Sequence, residues 1–333
     1  MKILFIGGNG NISWYCVQKA LERGHDVWEL NRAQTLNTRR KIQKEVNKIT
    51  ADIHNKKAMN LILADSQFDI VVDFICFNRQ DALNDIELFA HKTKHFVFIS
   101  SEAIYKRAGK NLPFKENCEV NVLDKVSKYI GGKIEAEEAF MTAYRNEGFP
   151  VTIVRPSYTY DTIVPVSIGH NCFTAPNLFL QGYPALIAGD GTNLWSFTHS
   201  KDFANAFIPL IEQRETIGQA FHITTNEWLS WNEEMEILFN ALGIKEYRSI
   251  HVPYKEALEL DYFQPKDLMG QRMWHNIYDT SKVREYVPDW KAKISFEEGI
   301  KETIEWLFLS DVHRRINPNH ESELKRLYKL YGE

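Results

Sequence analysis

Residues 2–13 give the clearest indication of the fold and read Lys2-Ile3-Leu4-Phe5-Ile6-Gly7-Gly8-Asn9-Gly10-Asn11-Ile12-Ser13. The apolar run at the start is typical of a buried strand, and the amphipathic pattern from Ser13 to about Arg23 predicts a helix. Glycines between the two allow a tight turn and the close approach of a pyrophosphate, while the helix start directs N–H groups toward it. Ser13 replaces a third glycine but is small. We therefore predict a dinucleotide-binding turn with contacts from Gly7, Gly10, Asn11 and Ile12.

Further apolar segments alternate with helical patterns through the first half of the chain. Strands are predicted at about 26–31, 49–53, 69–76, 95–100 and 150–155. This alternation indicates an α/β fold with a doubly wound, parallel, Rossmann-type sheet. Beyond Pro156 an aromatic, Pro- and Gly-rich stretch departs from the pattern. We predict a cofactor domain over residues 1–157 and a second, smaller α/β substrate lobe, with C-terminal helices, mainly over 158–333.

Two later helix starts carry their own signal. Ser230 with Glu233, and Ser295 with Glu298, have the spacing of capping boxes, in which the side chains at the first and fourth positions cap each other's backbone N–H. Both sites are predicted to begin helices.

Tyr129 and Lys133 are the strongest chemical signal in the sequence. Four residues apart on a helix, they lie on one face. A phenol has a pKa of about 10, and a nearby ammonium group stabilises the phenolate and makes it a usable base. A surface tyrosine beside a solvated lysine is the alternative. The dinucleotide-binding turn upstream favours the catalytic interpretation.

Composition excludes several classes of protein. The chain has 333 residues, 44% of them hydrophobic, and no apolar run long enough for a membrane helix. Its four cysteines are scattered without metal spacing, which predicts no metal site and reduced thiols in a cytoplasmic protein. The net charge of −4 argues against a nucleic-acid partner. The start runs directly into a strand, so no signal peptide is expected.

Several ordered motifs together resemble the extended short-chain dehydrogenases/reductases, which include nucleotide-sugar epimerases and dehydratases. The motifs are the glycine turn, Phe96-Val97-Phe98-Ile99-Ser100-Ser101 with Ile104-Tyr105, Tyr129 and Lys133, Val154-Arg155-Pro156, Gly189-Asp190-Gly191 with His199 and Asp202, and Asp279-Thr280-Ser281-Lys282. By this resemblance Ser101, Tyr129 and Lys133 are catalytic, and Asp52 and Ile53 contact the adenine. It also implies that residues 199–225 return to the first domain, and that the protein is a homodimer through the helix bearing Tyr129.

The cofactor is expected to be NADP rather than NAD. At the end of the second strand Asn31 and Arg32 stand where an acidic residue would bind the ribose hydroxyls of NAD, and an arginine suits a 2′-phosphate. Alternatives are that Arg32 stacks on adenine or is solvated, and that Glu29 is the acidic residue. The fourth strand ends at Asp73-Phe74-Ile75-Cys76, where relatives commonly have two alanines. Phe74 is therefore expected to make the floor of the cofactor site bulkier than usual.

The predicted chemistry is hydride transfer at a secondary hydroxyl or ketone of a sugar or nucleotide sugar. Tyr129 moves the hydroxyl proton, Ser101 hydrogen-bonds the same oxygen, and the sequence leaves epimerase and reductase open. The alternative is a catalytically silent nucleotide-binding scaffold or RNA-associated relative, which has no need of these residues. A 4,6-dehydratase is disfavoured because Ala103 occupies the position of its acid. Glu102 is the nearby carboxylate, either an acid on the substrate or structural.

The predicted substrate site departs from the family at Trp195, where nucleotide-sugar enzymes often carry a phosphate-binding arginine. Either Arg272 and Asn177 bind the phosphate, or the substrate is not an ordinary nucleoside diphosphate sugar. Trp195 is predicted to line the substrate pocket, with core packing as the alternative, and Tyr158 replaces a common asparagine. Arg155 and His199 are interpreted as structural.

Overall fold

The structure is a computed structural model, and it describes residues 1–32, 40–41, 43–107, 112–121, 126–259 and 266–332. Its strands are β1 (Lys2–Ile6), β2 (Asp26–Asn31), β3 (Asn47–Thr50), β4 (Ile70–Asp73), β5 (Phe96–Ile99), β6 (Val151–Pro156), β7 (Tyr158–Tyr160), β8 (Ala185–Ala188), β9 (Leu194–Trp195), β10 (Phe197–His199), β11 (Ala220–Ile223), β12 (Leu229–Ser230) and β13 (Ser249–Val252). Its helices are α1 (Ser13–Glu22), α2 (Lys56–Ile62), α3 (Arg79–Phe89), α4 (Lys128–Glu147), α5 (Thr174–Leu180), α6 (Ser200–Ile211), α7 (Trp231–Ala241), α8 (Tyr254–Ala257), α9 (Lys266–Gln271), α10 (Ser281–Tyr286), α11 (Phe296–Phe308) and α12 (Pro318–Tyr331).

A seven-stranded parallel sheet forms the centre of the first domain. Its strand order is β11-β6-β5-β4-β1-β2-β3, which confirms the predicted doubly wound fold. The predicted strand at 49–53 is displaced: β3 ends at Thr50, and Asp52 lies in the turn that follows. β11 pairs with β6 at one edge, so residues 220–223 belong to this sheet.

Helices cover both faces of the sheet, and strand β1 contributes side chains to the core on each face. In β1, Ile3 and Phe5 join a core with α1 and α6, whereas Leu4 and Ile6 join a second core with α2, α3 and α4. All four side chains are fully buried. This burial on both faces explains why β1 is continuously apolar instead of alternating.

The part of the chain predicted as the substrate lobe has a separate core of aromatic and aliphatic side chains, built around β8, α5, α7, α11 and α12. Both predicted capping boxes are confirmed: Ser230 caps α7 with Glu233, and Ser295 caps α11 with Glu298. None of the helices within the described ranges is long and apolar enough to cross a bilayer.

Candidate active site

A cleft of about 510 Å³ lies at the carboxyl ends of the parallel strands, between the sheet and the substrate lobe. Ligands of doubly wound folds bind at this edge, where the chain leaves β1 and β4 in opposite directions. The cleft is lined from both parts of the chain, by Gly7, Gly10, Asn11, Ile12, Ser13, Phe74, Ile75, Phe77, Ile99, Ser100, Ser101, Glu102, Ala103, Tyr129, Lys133, Pro156, Ser157, Tyr158, Thr159, Ile163, Asn171, Trp195, Gln271 and Arg272.

The glycine turn forms one end of the cleft and is held in shape by Ser13. The Ser13 hydroxyl donates to Gly7 O and accepts from Gly10 N–H, each at 2.7 Å. Gly7 has φ +76°, and a Cβ there would lie 2.7 Å from Ile75 Cγ2, so larger residues do not fit. Ser13 thus replaces the third glycine and also closes the turn. The small residues of this turn would let a diphosphate come close to the backbone N–H groups at the start of α1.

A buried carboxyl group lies directly beneath the turn. A Cβ on Gly8 would lie 2.7 Å from Glu29 Cγ, so Gly8 is needed for Glu29 to fit. Glu29 is fully buried, and Asn31 Nδ2 donates a long hydrogen bond to its Oε2, at 3.4 Å. Its Oε1 has no hydrogen-bond partner among the described residues. Burial raises the pKa of Glu29 to about 7.

We expect Glu29→Gln to stabilise the protein at neutral and alkaline pH. Because the pKa is raised in the fold, the folded protein binds more protons than the unfolded chain between about pH 4.5 and 7, and wild-type stability falls as pH rises through that window. The variant's advantage should grow over this range to roughly 3 kcal/mol and then level off. Urea unfolding of both proteins at several pH values measures it, and a pH-independent difference would contradict the assignment.

Tyr129 and Ser101 meet at the centre of the cleft. Ser127 caps the start of α4 by accepting from Ile130 N–H, which places Tyr129 in the first turn. The phenol is hydrogen-bonded to the Ser101 side chain. Part of the tyrosine ring is exposed, but burial of its hydroxyl end raises the pKa of the phenol, and the charge of Glu102 adds to this. Two of the three predicted catalytic residues are therefore in direct contact.

Lys133 lies one turn further along α4 and is almost completely buried. Its Nζ donates to Cys76 O, in the loop after β4, at 2.7 Å and to Ile99 O, at the end of β5, at 2.8 Å. Burial lowers the pKa of its ammonium group to about 8. A Cβ on Gly132 would lie 2.2 Å from Phe77 O, so this glycine lets α4 approach the loop after β4. The close approach places Lys133 among the residues that line the cleft.

Glu102 is held in place by neighbours instead of facing the cleft unpaired. Its Oε2 accepts from Arg107 Nη2 at 2.6 Å and from the Tyr278 hydroxyl at 2.9 Å. An ion pair of this kind supports the structural interpretation of Glu102 over that of an acid on the substrate. Ala103, beside it, is buried in the cleft wall.

Of the predicted substrate residues, Trp195, Tyr158 and Arg272 line the cleft, whereas Asn177 does not. Trp195 also packs within an aromatic cluster, with its ring centroid 5.9 Å from that of Tyr158 and 5.1 Å from that of Trp231. Arg272 donates to the carbonyls of Val166 and Ser167.

Asn177 lies on α5, outside the lining residues, and Asn171 occupies the cleft in its place. The Tyr158 hydroxyl donates to Asn171 Oδ1, which explains this position. Sequence reasoning missed Asn171, Phe77, Ile163 and Gln271. Of these, only Phe77 had a signal, since it follows a strand at the sheet edge where ligands bind.

The predicted adenine and ribose contacts do not line the cleft itself. Asn31 and Arg32 follow β2, and Asp52 and Ile53 follow β3, at the same carboxyl edge of the sheet. Arg32 Nη1 lies 4.0 Å from Asp52 Oδ2, and both side chains are largely exposed. This loose pairing leaves the guanidinium accessible at the edge of the sheet.

Comparison with known proteins identifies the family. Residues 3–224, more than half of the chain, match the NAD dependent epimerase/dehydratase family. The chain belongs to this family. The predicted resemblance is thereby confirmed, and proteins similar to this chain include a dTDP-D-glucose 4,6-dehydratase, a putative UDP-glucose 4-epimerase and a 2'-dehydrokanamycin reductase.

Individual relatives are distant. The chain is 22% identical to the chloroplast stem-loop binding protein of 41 kDa b of Arabidopsis thaliana, covering 91% of this chain and 78% of that protein. It is 21% identical to 2'-dehydrokanamycin reductase of Streptomyces kanamyceticus, covering 88% and 81%. Among solved structures, UDP-glucose 4-epimerase of Thermotoga maritima with UDP-glucose superposes with a TM-score of 0.73 at 21% identity, covering 93% and 99%. At this identity the likeness shows the fold.

Proposed function

We propose that the protein is an NAD(P)-dependent oxidoreductase or epimerase that transfers a hydride at a secondary hydroxyl or ketone of a sugar or nucleotide sugar. The observation that carries the proposal is the hydrogen bond between Tyr129 and Ser101, in the same cleft as the glycine turn and Lys133. A scaffold that only bound nucleotides would not need a buried phenol paired with a hydroxyl at this position.

Each residue has a role that its geometry supports. The nicotinamide ring would supply or accept the hydride when bound. Tyr129 moves the proton of the reacting oxygen, and Ser101 donates a hydrogen bond to that oxygen. The hydrogen bond from Tyr129 to Ser101 lowers the high pKa that burial gives the phenol, and Lys133 supplies a positive charge one helical turn away on α4. Two of the three N–H groups of the Lys133 ammonium donate to the carbonyls of Cys76 and Ile99, which leaves the third for a cofactor hydroxyl.

Turnover of NADPH or NADH with a panel of keto sugars, both free and nucleotide-linked, tests this function. We expect oxidation of the reduced cofactor with at least one of them and none without a sugar. Failure of the wild type to bind either cofactor by calorimetry would overturn the proposal.

We propose that NADP is preferred over NAD, on the accessible guanidinium of Arg32 and the neutral Asn31 beside it. Arg32→Ala should weaken NADP binding by roughly 1.5–3 kcal/mol and NAD binding far less, because only NADP offers a 2′-phosphate. As a matched change, Asn31→Asp should favour NAD. Calorimetric titration of both cofactors measures this. Equal losses for both cofactors in Arg32→Ala, or tighter NAD binding by the wild type, would refute the preference.

Trp195 should contribute packing instead of charge to the substrate, since an indole can stack on a sugar or base but cannot neutralise a diphosphate. We expect Trp195→Ala to raise KM by the equivalent of about 1–3 kcal/mol with little change in cofactor affinity. Trp195→Phe, which keeps a ring, should lose less. Trp195→Arg should improve the binding of common nucleotide sugars. An unchanged KM in Trp195→Ala would leave Trp195 as a core residue only.

A second candidate is a nucleotide-binding scaffold associated with RNA, and the name of the Arabidopsis relative favours it. The net charge of −4 and the Ser101–Tyr129 contact argue against this candidate. Stem-loop RNA bound tightly at physiological salt, together with no turnover by any sugar in the panel, would favour it.

A further inference from the structure

Asn11 connects the glycine turn to the substrate lobe. Its Nδ2 donates to Thr159 O at 2.9 Å, and its Oδ1 accepts from Thr162 N–H at 3.1 Å. A carbonyl requires a donor and an N–H group requires an acceptor, so these partners fix the orientation of the amide. Both ends of one side chain are therefore committed to a segment far away in the sequence.

Residues 159–162, the segment to which Asn11 is hydrogen-bonded, form part of the cleft wall that would face the substrate. Thr159 lines the cleft, as do Tyr158 just before the segment and Ile163 just after it. On its other side the segment joins the lobe, because the Thr303 hydroxyl donates to Asp161 O at 2.7 Å. Movement of residues 159–162 would therefore shift the wall that faces the substrate.

A second side chain from the cofactor domain holds the same segment. Arg40 Nε donates to Asp161 Oδ2 at 2.8 Å, and its Nη2 pairs with Oδ1. Asp161 is almost completely buried, so this ion pair is shielded from solvent. Arg40 keeps the segment near the cofactor domain, whereas Asn11 ties it to the turn that would carry the diphosphate.

We propose that Asn11 is a positioning residue that makes the geometry of the substrate wall depend on the bound cofactor. A diphosphate seated on residues 7–12 restricts the turn, and the two hydrogen bonds of Asn11 transmit this restriction to residues 159–162. By linkage, substrate and cofactor then favour each other's binding. The inference rests on the proposed function only in requiring that a dinucleotide binds the glycine turn.

Hydrogen–deuterium exchange by mass spectrometry tests the connection without a known substrate. In the wild type, saturation with NADPH or NADH should slow exchange of the peptide spanning residues 157–164 by about tenfold, since opening the Thr162 amide must then break bonds to a fixed turn. Exchange in β8 (Ala185–Ala188), which has no bond to the turn, should not change. Cofactor saturation without slower exchange at 157–164 would overturn the inference.

Variants distinguish the effect of the Asn11 hydrogen bonds from a general stabilisation of the protein by the bound cofactor. Asn11→Ala and Asn11→Leu remove both bonds, and in each the cofactor should no longer protect residues 157–164. Thr162→Val is the matched control, because it keeps the backbone N–H and removes a hydroxyl without a partner among the described residues. Its protection should match the wild type. Persistent protection in both Asn11 variants would refute the inference, whereas absence of cofactor binding to the wild type would refute the proposed function itself.

Discussion

Tyr129→Phe is expected to lower turnover by a factor of roughly 10² to 10⁴ while cofactor binding and the fold remain nearly intact, the usual contribution of a positioned acid or base. The substitution removes one oxygen, which is hydrogen-bonded to Ser101 in the cleft. Loss of that bond should cost only about 1 kcal/mol of stability. Steady-state turnover, calorimetric cofactor affinity and urea unfolding measure the three quantities on the same preparation.

Tyr144→Phe is the matched control for this change. Tyr144 lies on the same helix, α4, but outside the cleft, so its variant should keep wild-type turnover. Unchanged turnover in Tyr129→Phe would remove Tyr129 from the mechanism. An equal loss in both variants would indicate a general effect on α4 instead of an acid/base role.

Arg155→Met is expected to destabilise the protein by about 3–5 kcal/mol, because it leaves the buried carboxylate of Glu137 without its partner. Arg155 Nε and Nη2 donate to the two Glu137 oxygens at 2.9 and 2.6 Å, and Nη1 donates to the Tyr105 hydroxyl at 2.6 Å. Both partners of the ion pair are buried. Since Glu137 lies on α4, this pair attaches the helix that carries Tyr129 to strand β6.

The double variant Arg155→Met, Glu137→Leu shows whether stability is lost through the unpaired charge of Glu137 or through the change in side-chain volume. Replacing both charges by apolar groups should recover much of the stability lost in the single variant. Urea unfolding of the three proteins measures the difference. A single variant within 1 kcal/mol of the wild type, or a double variant no more stable than the single one, would contradict this account.

The parts of the site that depend on local spacing could be predicted from the sequence. Tyr129 and Lys133 share a face of α4 because of helical periodicity, and the glycine turn follows β1 as the strand–turn–helix pattern requires. Ser101 follows β5 at the sheet edge where ligands bind, so its meeting with Tyr129 follows from topology.

Contacts between distant segments could not be predicted in this way. Glu102 receives its hydrogen bonds from Arg107 and from Tyr278, and the second of these is brought in only by the packing of the substrate lobe. Asn11 likewise finds its partners in the lobe, where spacing in the sequence carries no information. The buried Glu29 runs against the expectation that strand interiors are apolar, and its place beneath Gly8 depends on three-dimensional packing.

Transfer of deuterium from NADPH labelled at C4 of the nicotinamide would show whether the protein moves a hydride between the cofactor and a sugar. Wild-type protein given the labelled cofactor and a panel of free and nucleotide-linked keto sugars should place one deuterium on a carbinol carbon of the product, as seen by mass spectrometry. Both a reductase and an epimerase transfer a hydride from the reduced cofactor to the ketone carbon. In Tyr129→Phe we expect this transfer to be slower by a factor of roughly 10² to 10⁴. Labelled cofactor that binds in the cleft but gives no deuterated product with any sugar would contradict the account.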